Sequence, residues 1–150
     1  EFRRVLFRSG MKVAKEQIVG MVAAIDWYLS QTDEGMQAEF RKRAERIAAA
    51  LKDVPTLTHE IVTPPLANAV PHLVLRYDQT RVRMTPLEVA QTLRAGSPAI
   101  ELNPSTGRKG GSAGLPNTEH AILIGVWMLQ PDEDLVVARH LREVLLKAAA

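Results

Sequence analysis

Val70-Pro71-His72-Leu73-Val74-Leu75-Arg76-Tyr77, followed eight residues later by Thr85-Pro86-Leu87-Glu88-Val89-Ala90, decides the fold class of this 150-residue chain. In the first stretch Leu73, Leu75 and Tyr77 alternate with Val74 and Arg76, the two-residue period of a strand. Pro71 cannot donate to a sheet ladder, so it marks a strand start or an edge. The second stretch opens a helix. Thr85 stands at the N-cap, Pro86 at the first helical position, and Glu88 three residues past the cap to close a capping box. Leu87, Ala90 and Leu93 form its expected inward stripe, and Gly96 stops it.

Upstream, Ile18, Val22, Ile25 and Leu29 recur at steps of four, three and four, which predicts a helix over 13–29 with one apolar stripe. Gly20 weakens that helix, so packing must hold it. Ser30-Gln31-Thr32-Asp33 offers caps for a second helix whose stripe is Met36, Phe40, Ala44, Ile47 and Leu51. Its outer face, Arg41, Lys42, Arg43, Glu45 and Arg46, reads as solvated. Pro55 ends the helical part, and Leu57–Thr63 reads as a strand. Downstream, Ala99–Leu102 reads as a short strand and 103–119 as a loop, with disorder favoured and substrate contact left open. His120–Leu129 reads as a strand covered on both faces. Pro131-Asp132-Glu133-Asp134 starts the last helix with acids where the helix dipole favours them, and Val137, Leu141 and Val144 or Leu145 face inward. The order α-α-β-β-α-β-β-α implies an α+β fold: two N-terminal helices, then a small, mostly antiparallel sheet with helices on one side.

Composition limits the chemistry. With no cysteine there is no disulfide, thiol nucleophile, zinc ribbon or iron–sulfur site. No apolar run nears the roughly 20 residues that a membrane helix needs. The net charge of +2 comes from residues 1–10, which hold Arg3, Arg4, Arg8 and Glu1; the 16 basic and 16 acidic residues left after them cancel. That removes the electrostatic case for nucleic acid. Residues 1–9 fit no structural period and resemble translated adaptor sequence, so 1–10 are read as a non-native leader.

Candidate sites are few. Gly110-Gly111-Ser112-Ala113-Gly114 spells G-x-S-x-G, yet a strand follows it where a nucleophile elbow needs a helix. Gly107–Ser112 lacks the order and the following helix of a phosphate loop. His59, His72, His120 and His140 are too far apart for a local metal motif, and no metal site is expected. Asp132, Glu133 and Asp134 are explained by the helix dipole, and Trp27, Tyr28 and Trp127 by packing. Lys12 and Lys15 stand out, because cations at a helix start oppose the macrodipole. Solvent exposure near a chain end and an anionic partner are both open readings.

Met11-Lys12-Val13-Ala14-Lys15-Glu16-Gln17-Ile18-Val19-Gly20 resembles the segment linking the two domains in a branch of the fold-type I pyridoxal-phosphate enzymes, the aminotransferase class V-like proteins related to L-seryl-tRNA(Sec) selenium transferase. Val70–Leu73, Thr85–Ala90 with Leu93-Arg94, Ser97–Ile100, and Trp127–Asp134 with Val137–Arg142 are similar to that family in the same order. The resemblance covers about 11–150. It implies a C-terminal portion of a longer transferase or lyase, with an interdomain helix at 11–32 and a small domain at 33–150. It also implies a cytoplasmic homo-oligomer that acts on a small amino substrate, an amino acid or amino sugar, with pyridoxal 5'-phosphate as electron sink. The family's Schiff-base lysine and its cofactor-pairing aspartate fall upstream of Met11, so no catalytic or cofactor-binding residue is assigned and the isolated chain is expected to be inactive. Lys12 and Lys15 carry over as substrate or anion contacts. Glu101-Leu102-Asn103 stands where selenium transferases place an arginine, and Ser9 where many relatives carry one; both favour a relative other than selenium transferase itself. The alternative is a free-standing α+β ligand-binding or regulatory module without catalysis.

Overall fold

The computed structural model describes residues 13–65, 69–110 and 114–150. The elements are α1 (Lys15–Leu29), α2 (Asp33–Ala50), β1 (Thr58–Val62), β2 (His72–Arg76), α3 (Pro86–Arg94), β3 (Ile122–Gly125) and α4 (Glu133–Ala149). The expected α+β fold is the observed one. The three strands are antiparallel in the order β1-β2-β3, so β2, entered through Pro71, is central.

The chain divides into two units, Glu1–Met36 and Gln37–Ala150. In the first, α1 begins where the Gln17 side chain accepts the Ala14 amide at 2.9 Å and ends where the Ser30 hydroxyl donates to the Trp27 carbonyl. Each residue of α1 is exposed, including Ile18 at 52%, Val22 at 52%, Ile25 at 48% and Leu29 at 73%. Thr32 caps α2 by accepting the Gly35 amide at 3.1 Å.

In the second unit the sheet is covered differently on its two faces. Leu73, Leu75, Ile122 and Ile124 turn one way and pack with Ala44, Ile47 and Leu51 at and after α2, Val89 and Leu93 of α3, and Val137, Leu141 and Leu145 of α4. All the helical contribution to the core is therefore on one face. Val74, Ala121 and Leu123 turn the other way, against Val62 and Leu115. The capping box at α3 forms as its sequence requires: Thr85 accepts the Glu88 amide at 3.3 Å and Glu88 accepts the Thr85 amide at 2.7 Å.

Several local expectations are corrected. Val89 and Pro86, with Leu93, are the buried positions of α3, whereas Leu87 is 37% exposed. Ala99–Leu102 is not a strand: the Ile100 amide turns back to the Leu93 carbonyl, and only Asn103 reaches the sheet, donating to Leu123 at 3.2 Å. The loop after it is anchored over its described parts. Buried Thr106 donates to the Leu123 carbonyl and accepts the Leu123 amide at 3.1 Å, and buried Thr118 donates to the Ser105 carbonyl. Gly107 has φ +69°, and a Cβ there would stand 2.6 Å from the Leu87 backbone nitrogen, so only glycine lets the loop sit this close to α3.

The outer face of α2 is not uniformly solvated. Arg43 crosses to the Leu129 carbonyl and to Glu39, and Arg46 Nε lies 2.6 Å from Oδ2 of the fully buried Asp134. That contact is coulombic: neither the Arg46 N–H nor the Asp134 oxygens point along a hydrogen bond. Asp134 therefore answers a specific cation as well as a helix dipole. Trp27, Tyr28 and Trp127, expected to be packed, are 64%, 60% and 42% exposed. Among the described residues no helix is long and apolar enough to cross a membrane.

Candidate functional site

A cleft of about 610 Å³ opens in the second unit, between the 98–103 segment, the end of β3 and the start of α4. Its size is that of a small-molecule site, which typically spans roughly 300–1,000 Å³. The walls are mostly aliphatic, from Ile100, Leu102, Ile124 and Val137, and among the described residues no lysine, arginine or histidine lines them. The polar side chains present are Glu101, Asn103, Glu133 and the Trp127 indole. Glu101 pairs with Arg94 at 3.1 Å, Asn103 accepts the Ser105 amide, and Glu133 accepts the Gln130 amide at 2.8 Å. Each carboxylate is thus already partnered at the rim.

The backbone at the end of β3 is open. Leu123 turns its amide and carbonyl away from β2, toward Thr106 and Asn103. Residues alternate along an antiparallel pair, so Ile122 and Ile124 bond to β2 and Gly125 turns outward as Leu123 does. Among the described residues nothing takes the Gly125 amide or carbonyl. Trp127 covers this position: its Nε1 lies 3.6 Å from where a Gly125 Cβ would stand, and His72 Cδ2 lies 3.9 Å from it. His72 is itself held by Nδ1 against the Val70 carbonyl at 2.8 Å; a carbonyl only accepts, so Nδ1 carries the proton.

Arg43 and Arg46 act on the cleft from behind. Arg43 holds the Leu129 carbonyl and Arg46 holds Asp134, and these two anchors bracket the turn from Leu129 into α4 that forms one wall. Tyr77, whose hydroxyl donates to the Met84 carbonyl at 3.0 Å, has its pKa pushed up by burial and by the Glu88 charge. It is a structural group, remote in role from the cleft.

The residues singled out from sequence lie elsewhere. Lys15 is the first residue of α1, exposed, with Glu16 beside it in the first turn. Lys12 lies outside the described residues, as does the middle of Gly110–Gly114. The four histidines are dispersed, and among the described residues no cluster of potential metal ligands forms. The cleft was missed because its walls come from three distant segments and its distinctive polar group is a glycine backbone. The Gly125-Val126-Trp127 juxtaposition, a glycine at a strand end beside a tryptophan, was the available signal.

No family model matches the chain. The chain is 27% identical over 136 residues to a 5'-C-glycyluridine monooxygenase-decarboxylase from Streptomyces sp, a match covering 91% of this chain and 32% of that protein. Its fold resembles part of a solved enzyme. That structure is D-glucosaminate-6-phosphate ammonia-lyase, with TM-score 0.68 and 20% identity, covering 95% of this chain and 35% of the other. The chain thus spans about a third of the length of each protein, and both are enzymes by name.

Proposed function

We propose that this chain is the C-terminal portion of a longer, fold-type I pyridoxal-phosphate-dependent lyase or transferase that acts on an amino acid or amino sugar. The observation that carries this reading is the match of nearly the whole chain to a third of two enzymes whose named substrates each contain an amino acid unit, a glycyl group in one and an aminated sugar acid in the other. The uniformly exposed apolar side chains of α1 support a role for it as the interdomain helix. Lys12 and Lys15 would then draw an anionic group of the substrate, and the small domain would supply active-site wall and homo-oligomer contacts in a cytoplasmic enzyme.

The described residues do not themselves fit the cofactor. A pyridoxal phosphate site needs a lysine amine in a pocket and donors for a phosphate, and among the described residues no cation lines the cleft at Gly125. The cofactor therefore belongs to the remainder of the longer protein, and no step of its chemistry is assigned to residues here. The test is expression of the gene extended upstream of Met11. The longer protein should show the visible absorbance of lysine-bound pyridoxal phosphate, bleached by borohydride, and residues 13–150 alone should not. A band on the short chain, or an upstream start signal at Met11 with no large α/β domain before it, overturns the reading. The second outcome favours a free-standing binding module, a reading supported by the described residues that line the cleft all belonging to the second unit.

A further inference from the structure

The cleft at Gly125 combines three properties. It is apolar; it offers one backbone amide and one backbone carbonyl with no partner among the described residues; and an exposed indole stands over that backbone. An amide and a carbonyl of one residue, side by side, complement a planar group whose edge carries an adjacent acceptor and donor. The Trp127 indole, whose Nε1 edge lies nearest Gly125, supplies an aromatic ring beside them, and base-like rings gain substantially from stacking on such a ring. Among the described residues Glu133 at the rim has no cation beside it and Glu101 already occupies Arg94, so among the lining residues no cation is left for a phosphate or carboxylate.

We propose that this cleft binds a planar heterocycle of the pyrimidine kind, its donor–acceptor edge on the Gly125 backbone and its face against the Trp127 indole. As a statement about substrate it rests on the function proposed above and names the end of the substrate remote from the amino group. An added peptide strand is the competing occupant of an open strand edge. It fits less well, because strand addition needs outward backbone groups at alternate residues and those of Leu123 are taken by Thr106 and Asn103.

The experiment is calorimetric titration of the 150-residue chain with uridine and with 3-methyluridine, whose ring donor is blocked, on the parent chain and on Trp127→Ala and Trp127→Phe. Trp127 is 42% exposed, so both variants retain the fold, which circular dichroism verifies. Uridine should bind saturably. The methyl derivative should bind roughly tenfold more weakly, the scale of one lost neutral hydrogen bond with its edge blocked. Trp127→Ala should weaken uridine by about fivefold or more, with Trp127→Phe in between. Absence of saturable binding at millimolar uridine, equal affinity for the two nucleosides, or indifference to Trp127→Ala overturns the proposal. The readout is independent of the cofactor: a pyridoxal phosphate band in the longer protein without uridine binding here sinks this inference alone, and uridine binding without that band sinks the reaction class and leaves the cleft.

Discussion

Replacing Gly107 by alanine tests how the 103–119 loop is attached to the fold. Gly107 sits at φ +69°, where a side chain costs about 1–2 kcal/mol. Its Cβ would also stand 2.6 Å from the Leu87 nitrogen and 3.0 Å from the Leu87 Cα. Those are backbone atoms of a capped helix start and cannot swing aside, so overpacking adds about 1–3 kcal/mol. A total of about 3 kcal/mol, with a urea m-value of about 2 kcal/mol/M, lowers the midpoint by about 1.5 M. Gly110→Ala is the matched control: its φ is +95° and a Cβ there meets nothing within 4 Å among the described residues, so the conformational part dominates. Urea unfolding followed by circular dichroism measures both. Equal midpoints for the two variants would refute the claim that the loop is latched against α3 by close backbone approach.

Arg46→Ala leaves the charge of fully buried Asp134 without its cation; because Arg46 is itself 34% exposed, the cost falls at the low end for a broken buried pair, about 3 kcal/mol, read from the same unfolding curves. Arg46→Met with Asp134→Leu should recover most of that loss. Thr106→Val preserves shape but strands the Leu123 amide, costing about 1–3 kcal/mol and speeding hydrogen exchange at Leu123; unchanged exchange there would show that the hydroxyl is not its partner. The carboxyls of Glu88, Asp53 and Asp78 are held below their ordinary values, first of all by the Thr85 amide, the Arg142 guanidinium and the Thr80 hydroxyl respectively. Depressed folded-state values stabilise the fold above the unfolded values of 4.5 and 3.8, and that stability is lost as pH falls through the lower folded ones. The urea midpoint should therefore be flat from pH 7 to 5 and drop below about 4.5, and Glu88→Gln should shrink the drop.

What was legible in the sequence was local. Thr85-Pro86-Leu87-Glu88 encodes its cap within four residues, and the cap forms. The stripes of α2 and α4 share a helical period, and Ala44, Ile47, Leu51, Val137, Leu141 and Leu145 are all buried. What was not legible depended on partners far along the chain. Ala99–Leu102 has the composition of a strand, but its neighbour β3 is engaged by Thr106 and meets only Asn103. Arg43 and Arg46 look like solvent residues until Leu129 and Asp134 are brought beside them. The 103–119 stretch has the composition of a mobile loop, yet Thr106 and Thr118 are buried because backbone groups of Leu123 and Ser105 accept or supply their hydrogen bonds. The cleft at Gly125 depends on what is missing from a strand edge, and no residue pattern encodes a missing partner.

The bonding of Thr106 to Leu123 has a bearing on solubility. An uncovered strand margin recruits other chains, and proteins ordinarily guard it with charge, proline or a bulge. On the β3 side a single hydroxyl, giving and receiving at once, mimics the peptide unit that a fourth strand would have offered. Growth of the sheet in that direction is blocked at Leu123, by this hydroxyl together with the Asn103 amide, and an unfolding event that frees Thr106 would extend the open edge at Gly125 into a template for aggregation.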